Sequence, residues 1–266
     1  MNNTRVTAGA FTATATTSNA LEISEDENTW LTSIDLGTDF ATWAPVSTTD
    51  MSLFAKDKTW GTSSNSKGNV VTVWGDATAN RHYYTKTFYL KANQNCTVQL
   101  NANTVVKETT ATKNGILNTM RIGFVSGADK VVYQVADTNV GEAASRRDTT
   151  EDTAKVDGIA KAIKVTSGSP NTYSVANTEF TRTATITTAG DTGVTAVSGA
   201  IIAPSADNST LGTATAGNYI VNLTANTSTA VTVYIWLEGC DFDCVSSIAN
   251  GAISTNLEFR ACTKLP

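Results

Sequence analysis

Alternation of apolar and polar positions runs through most of this chain. TRVTAGAFTATATTSNALEIS (4–24) alternates small and β-branched residues, with almost no charge and one large aromatic, Phe11. It reads as one long extended strand, which needs a partner sheet and is a pairing hazard if left bare. The alternation lapses over 25–65 and returns in GNVVTVWGD (68–76), HYYTKTFYLKA (82–92) and CTVQLNANTVV (96–106). In the second of these, Tyr84, Lys86 and Phe88 share one face, opposite Tyr83, Thr85, Thr87 and Tyr89. In the third, Cys96, Val98 and Leu100 share a side. LNTMRIGFVSG (117–127) and KVVYQVA (130–136) read as a hairpin joined at Gly127, Ala128 and Asp129. Six further strands follow: TYSVANT, EFTRTATITTAG, VTAVSGAIIAP, NYIVNLTANT, AVTVYIWLEG and AISTNLEFRA.

Turn residues separate these strands at sandwich or barrel spacing. Residues 137–164 differ. It holds much of the chain's charge and reads as a surface loop or lid, with DTTEDTAKVDGIAKAI (148–163) able to form one short helix capped by Asp148 or Thr149. There is no βαβ alternation, so a parallel α/β fold is disfavoured. The expected fold is all-β, an antiparallel, jelly-roll-like β-sandwich with an extended N-terminal strand and at most one or two short helices. Residues 1–20 form the extended N-terminal segment, and 21–266 a single sandwich domain with a charged insertion at about 137–164.

Composition sharpens the class. Charged residues are 16% of the 266, well below the roughly 25% of typical soluble domains, and Thr, Ala, Asn, Ser and Gly fill the gap. Such a surface suits strands and exported proteins. The net charge of −5 and the absence of a basic stripe argue against nucleic acid as a partner. No apolar run is long enough for a membrane-spanning helix. MNNTRVTAGAF lacks a signal-peptide core, so the chain reads as a mature form with a start Met added, and the expected location is extracellular or at the cell surface.

Chemistry is sparse. One His in the chain defeats most catalytic plans, and His82 reads as a strand-surface residue. There is no GxSxG, HExxH, P-loop or GxGxxG. The passage VYIWLEGCDFDC (233–244) offers Glu238 with Asp241 or Asp243 as a carboxylate pair. All three sit on one turn, whereas glycosidase carboxylates flank a cleft. Asp241 and Asp243 are weak calcium candidates, as is SEDEN (24–28); no other metal or cofactor is expected. Trp30, Trp43 and Trp60 read as plugs on loops crossing a sandwich, with an exposed sugar-stacking platform as the rival. Cys96, Cys240, Cys244 and Cys262 allow three pairings. Disulfides, free thiols and a metal site remain the alternatives, and Cys240 with Cys244 can close across a turn. In this reading Val231, Val233, Ile235 and Leu237 face the core, Tyr234 and Trp236 face away, Gly239 permits a tight turn, and 252–261 returns antiparallel to 231–238.

VYIWLEGCDFDC followed by ISTNLEF (253–259) resembles the C-terminal hairpin, of the form VYIWLEG-x-D-x-D-C, of secreted surface proteins of anaerobic Gram-positive bacteria. AFTATATTSNALEIS (10–24) is similar to the extended segment that follows the signal peptide in those proteins. PVSTTD (45–50), FYLKA (88–92) and LNTMRIGFV (117–125) complete a layout similar to camelysin and TasA-like biofilm-fibre proteins, which have jelly-roll-like cores. Cys240 and Cys262 depart from that pattern, and no zinc-ligand set supports the metalloprotease label given to camelysins. The resemblance implies a self-assembling extracellular protein, not an enzyme, whose N-terminal strand completes the sheet of the next subunit. The partner is then the chain itself, head to tail, with other surface proteins or glycans as further partners. Val6, Ala8, Ala10, Phe11, Ala13 and Ala15 are the donor-strand residues. The alternative is a monomeric glycan-binding adhesin.

Overall fold

A computed structural model describes residues 7–15, 21–37, 43–58, 73–101, 104–108, 116–135, 162–176, 183–186, 214, 217, 219–241, 244, 248 and 251–266. The strands are β1 (Thr7–Ala15), β2 (Glu22–Ser24), β3 (Ser33–Asp35), β4 (Val46–Ser47), β5 (Ala55–Asp57), β6 (Trp74–Asp76), β7 (Tyr84–Lys91), β8 (Cys96–Leu100) and β9 (Val105–Glu108). A helical turn, α1 (Ile116–Thr119), precedes β10 (Met120–Ser126) and β11 (Asp129–Val135). Then come β12 (Ala162–Thr166), β13 (Thr172–Ala176), β14 (Thr183–Ile186), β15 (Tyr219–Leu223), β16 (Thr229–Leu237) and β17 (Ala252–Thr263).

The protein is all-β, its sheets mostly antiparallel and not closed into a barrel. One six-stranded sheet has the order β15-β8-β17-β1-β3, with β9 also pairing β17; the other has the order β14-β11-β10-β16-β7-β2. β12 with β13 and β4-β5-β6 make two smaller sheets. The principal core lies between the two large sheets. Val231, Val233, Ile235 and Leu237 of β16 are fully buried in it, as are Val98, Leu257 and Phe259 of the first sheet. Phe259 touches both Phe88 and Phe124, at ring-centroid distances of 5.4 and 5.8 Å. The alternation of β7 places Tyr84, Phe88 and Leu90 in this core, while Thr87 on the other face is exposed.

A second apolar cluster covers the far face of the β10–β16 sheet. Trp236, Val132, Met51, Phe54 and Val46 form it, with Phe54 stacked on Tyr83 at 3.9 Å and edge-on to Trp236 at 5.6 Å. Both faces of this sheet are therefore packed, which explains the near-continuous apolar run YIWL. Gly123 of β10 is the contact point: a Cβ there would lie 2.1 Å from Met51 Sδ and 3.1 Å from the Trp236 ring. Thr48 shapes the approach of Met51, accepting from the Met51 amide at 3.0 Å and donating to the Leu53 carbonyl at 2.6 Å.

Several expectations change. Residues 4–24 are not one strand: β1 belongs to the first large sheet and β2 to the second, so the chain changes layers between them. Residues 96–106 split into β8 and β9 because Asn101 and Thr104 close a turn (Thr104 N to Asn101 O, 2.9 Å). Within 68–76 the described strand is only Trp74–Asp76. The last two residues of the expected helix at 148–163 are strand, because Ala162 and Ile163 pair with Ala176 and Val175; residues 137–161 lie outside the described set, as does VTAVSGAIIAP (194–204). The expected hairpin forms as Met120–Ser126 with Asp129–Val135, Leu117–Thr119 belonging to α1, and Gly127 at φ 58 sits in a two-residue turn closed by the Ser126–Asp129 pair. The expected C-terminal hairpin does not. β16 pairs with β10 and β7, whereas β17 pairs with β8, β9 and β1 in the opposite sheet. Two buried strands that each already have neighbours on both edges cannot also pair with one another.

Gly123→Val is expected to force Met51 off the sheet and lower unfolding stability by about 1–3 kcal/mol, measured as the shift of the urea midpoint.

Candidate functional site

Two places gather the sequence-derived candidates. The first is the slot that β1 occupies. β1 runs parallel to β17, with Ala8 opposite Ile253, Phe11 opposite Thr255, Ala13 opposite Leu257 and Ala15 opposite Phe259. All four β17 partners are buried, and Ala13 is itself completely buried in the principal core. Its other edge pairs with β3 through Thr12, Ala13 and Thr14. Small residues suit this position because a strand slotted between two others must fit a space already set by its neighbours' side chains. The register slips between Ala8 and Phe11, so Gly9 and Ala10 together oppose only Ser254. Ala10 thus falls in a bulge, not at a paired position. Val6 lies outside the described residues. The strand therefore lies in its own chain's sheet.

The second place is the loop after β16. Glu238 and Asp241 are 1% and 4% exposed. Asp241 Oδ2 lies 2.5 Å from Arg121 NH2, and both side chains are buried. Glu238 accepts from the Trp236 indole at 3.0 Å and from the Cys240 amide at 3.1 Å. Burial pushes its carboxyl up, opposed by hydrogen bonds from Ser47 and Trp236 and by the nearby Arg121 charge. Ser47 Oγ also accepts from the Ile163 amide at 2.9 Å. Backbone bonds complete the knot: Glu238 N to Thr119 O at 2.7 Å, Gly239 N to Val46 O at 2.9 Å and Cys244 N to Asp241 O at 3.0 Å. The loop thereby ties β4, β10, β12 and β16 together. Gly239 is required by proximity, since a Cβ would lie 3.0 Å from the Trp74 ring and 3.3 Å from Pro45.

This arrangement clamps; it does not present its carboxylates to a substrate. Asp241, one of the two calcium candidates, is engaged by a guanidinium, and Asp243 lies outside the described residues. Among the described residues, no three His, Cys, Asp or Glu side chains form a group able to hold a metal. Asp26 of the SEDEN cluster is a turn anchor: it accepts from the amides of Thr29 and Asn28 at 2.8 and 2.9 Å, and these bonds lower its pKa. Arg121 went unnoticed in the sequence, where it stands between Met120 and Ile122. Its one sequence signal is a lone charge inside a run of apolar residues, a pattern that asks for a buried counter-charge.

The four cysteines are free thiols. Cys96 faces Thr263 and Cys262 faces Thr97 across the β8–β17 ladder, so the pleat points the two thiols to opposite faces and they cannot join. Burial raises Cys96 to about 11 and raises Cys244 and Cys262 as well. Their thiols are therefore protonated near neutrality and poor nucleophiles.

The tryptophans divide. Trp43 is buried in the principal core. Trp30 is half-buried, its indole donates to the Glu27 carbonyl at 3.1 Å, and Lys91 Nζ sits 4.0 Å above its ring. Trp60 lies outside the described residues. His82 is buried, not on a strand surface, and its Nδ1 accepts from the Thr78 amide at 2.8 Å. Desolvation, helped by Lys56 and Arg81, pushes its pKa down to about 4.

No protein-family model, curated protein or solved structure matches this chain.

Two outcomes follow from these geometries. Asp241→Ala removes the carboxylate paired with the buried Arg121 guanidinium and is expected to cost about 3–5 kcal/mol in chemical denaturation. Because His82 has a lower pKa folded than unfolded, the unfolded chain binds more protons between about pH 4 and 6.5. Stability contributed by neutral His82 is thus present above that window and lost as pH falls through it. His82→Asn, whose Oδ1 can take the Thr78 amide, should fold and show a flatter melting-temperature profile across those pH values.

Proposed function

We propose that this protein is an extracellular structural subunit of a surface or biofilm filament, assembling by addition of its N-terminal strand to the sheet of the next subunit. The observation that carries the reading is the placement of β1. The strand β1 fills a slot between β17 and β3, and four of its residues lie opposite buried residues of β17. The same pairings can be made by the β1 of a neighbour, with no new interface required. A head-to-tail contact, in which each copy takes its strand from one neighbour and gives its own to another, extends into a filament when the rotation between copies does not close a ring. The low charge and Thr-rich composition fit a life outside the cell. The rival reading, a monomeric glycan-binding module, is weakened because Trp43 is buried and the face of Trp30 is covered by Lys91.

A reversible lock tests this in the full-length chain. Thr12 and Asn256 are register partners, so Thr12→Cys with Asn256→Cys should trap β1 in its own sheet when oxidised. Electron microscopy at high concentration should show filaments for the intact chain and the reduced variant, and none for the oxidised one. Filaments from the oxidised variant, or from a chain lacking residues 1–20, would sink the proposal.

A further inference from the structure

The loop after β16 holds two cysteines in different surroundings. Cys240 is partly exposed, whereas Cys96, Cys244 and Cys262 are buried, so Cys240 is the thiol that a dissolved reagent meets first. Two turns in series bring Cys244 back toward it. The Asp241 amide donates to the Glu238 carbonyl at 3.1 Å, and the Cys244 amide to the Asp241 carbonyl at 3.0 Å. A turn of this kind keeps its end Cα atoms within about 7 Å, and Cys240 adjoins the first residue of the second turn. The Cys240 amide is itself fixed on Glu238 Oε1 at 3.1 Å. Burial raises the Cys244 thiol, and Asp241, Glu238, Asp57 and Cys240 are all near enough to raise it further. Around Cys244 a thiolate is therefore disfavoured, while a disulfide, which carries no charge, is not.

We propose that Cys240 and Cys244 are an oxidisable pair, closed across the turn by a small-molecule disulfide, with Cys240 the entry thiol. Cys240 as thiolate attacks one sulfur of the reagent, forming a mixed disulfide and releasing one small thiol. Cys244 then gives up its proton and attacks the Cys240 sulfur, which expels the second small thiol. The reagent's disulfide is reduced, the two protein thiols are oxidised, and their two protons pass to the released thiolates. Holding the two sulfurs on one turn offsets the weak nucleophilicity of Cys244. A reductant attacking the more accessible Cys240 sulfur must expel Cys244 as a thiolate. That is a poor leaving group, so the closed bond persists. The bond ties the loop whose Asp241 holds the Arg121 guanidinium.

The test incubates the folded, reduced full-length chain with oxidised glutathione, quenches with acid, alkylates in denaturant and maps the peptides by mass. The expected product has lost two hydrogens, carries no glutathione and links Cys240 to Cys244. Cys244→Ser should instead retain one glutathione, on Cys240. Cys240→Ser should react at least about ten-fold more slowly than the natural chain. A natural chain that keeps glutathione on Cys240, joins other cysteines or stays unmodified overturns the proposal, whatever the variants do. So does a Cys240→Ser chain that reacts as fast as the natural one. Once closed, the bond is expected to reopen in dithiothreitol about ten-fold more slowly in the folded chain than in urea. Equal rates overturn the persistence assigned to the surroundings of Cys244.

Discussion

The pairing of the first strand with the last organises the first large sheet. β17 is twelve residues long, and it carries β8 and β9 on one edge and β1 on the other. Its alternate residues Ile253, Leu257 and Phe259 reach into the principal core, where Phe259 meets aromatic rings of the opposite sheet. Without β1 in the slot, those buried β17 residues would have an open backbone edge at their side, and β3 would lose the one strand it pairs with among the described residues of that sheet. The N-terminal segment is therefore part of the fold, and whether its own copy or a neighbour's fills the slot, the pairing requirement is the same.

The buried knot around Arg121 serves the opposite sheet. Moving a guanidinium and two carboxylates out of water is unfavourable, and it persists only where geometry and hydrogen bonds compensate. Here Asp241 pairs with Arg121, and Glu238 takes donors from the Trp236 indole and the Cys240 amide. The result fixes the direction in which the chain leaves β16. It also accounts for the separation of β16 and β17 into different sheets: a chain anchored by Thr119, Val46 and Asp241 is carried away from its own strand and cannot fold back beside it.

Alternation made the strands legible. The faces of 82–92 and 231–237, and the 117–136 hairpin, could be read from side-chain period alone, because a half-buried strand shows its orientation in its sequence. What alternation cannot show is which strand pairs with which. AISTNLEFRA looks like the natural return for AVTVYIWLEG because it comes next, yet adjacency in sequence decides nothing once both are central strands. The site was less legible. The small residues of β1 stand out in the sequence, but a one-residue bulge leaves no mark in a run of Thr, Ala and Gly. The burial of Glu238 and Asp241 could not be read from their turn, since the partner that permits it, Arg121, lies far away in the chain.

The parallel arrangement of β1 and β17 has a mechanical meaning. Thr7 opens β1 and Thr263 closes β17, and the two strands run the same way side by side. Tension applied through Thr7 and Thr263 therefore pulls the strands lengthwise past each other. The load falls on all their hydrogen bonds together, where a hairpin pulled from its open end would give way one bond at a time.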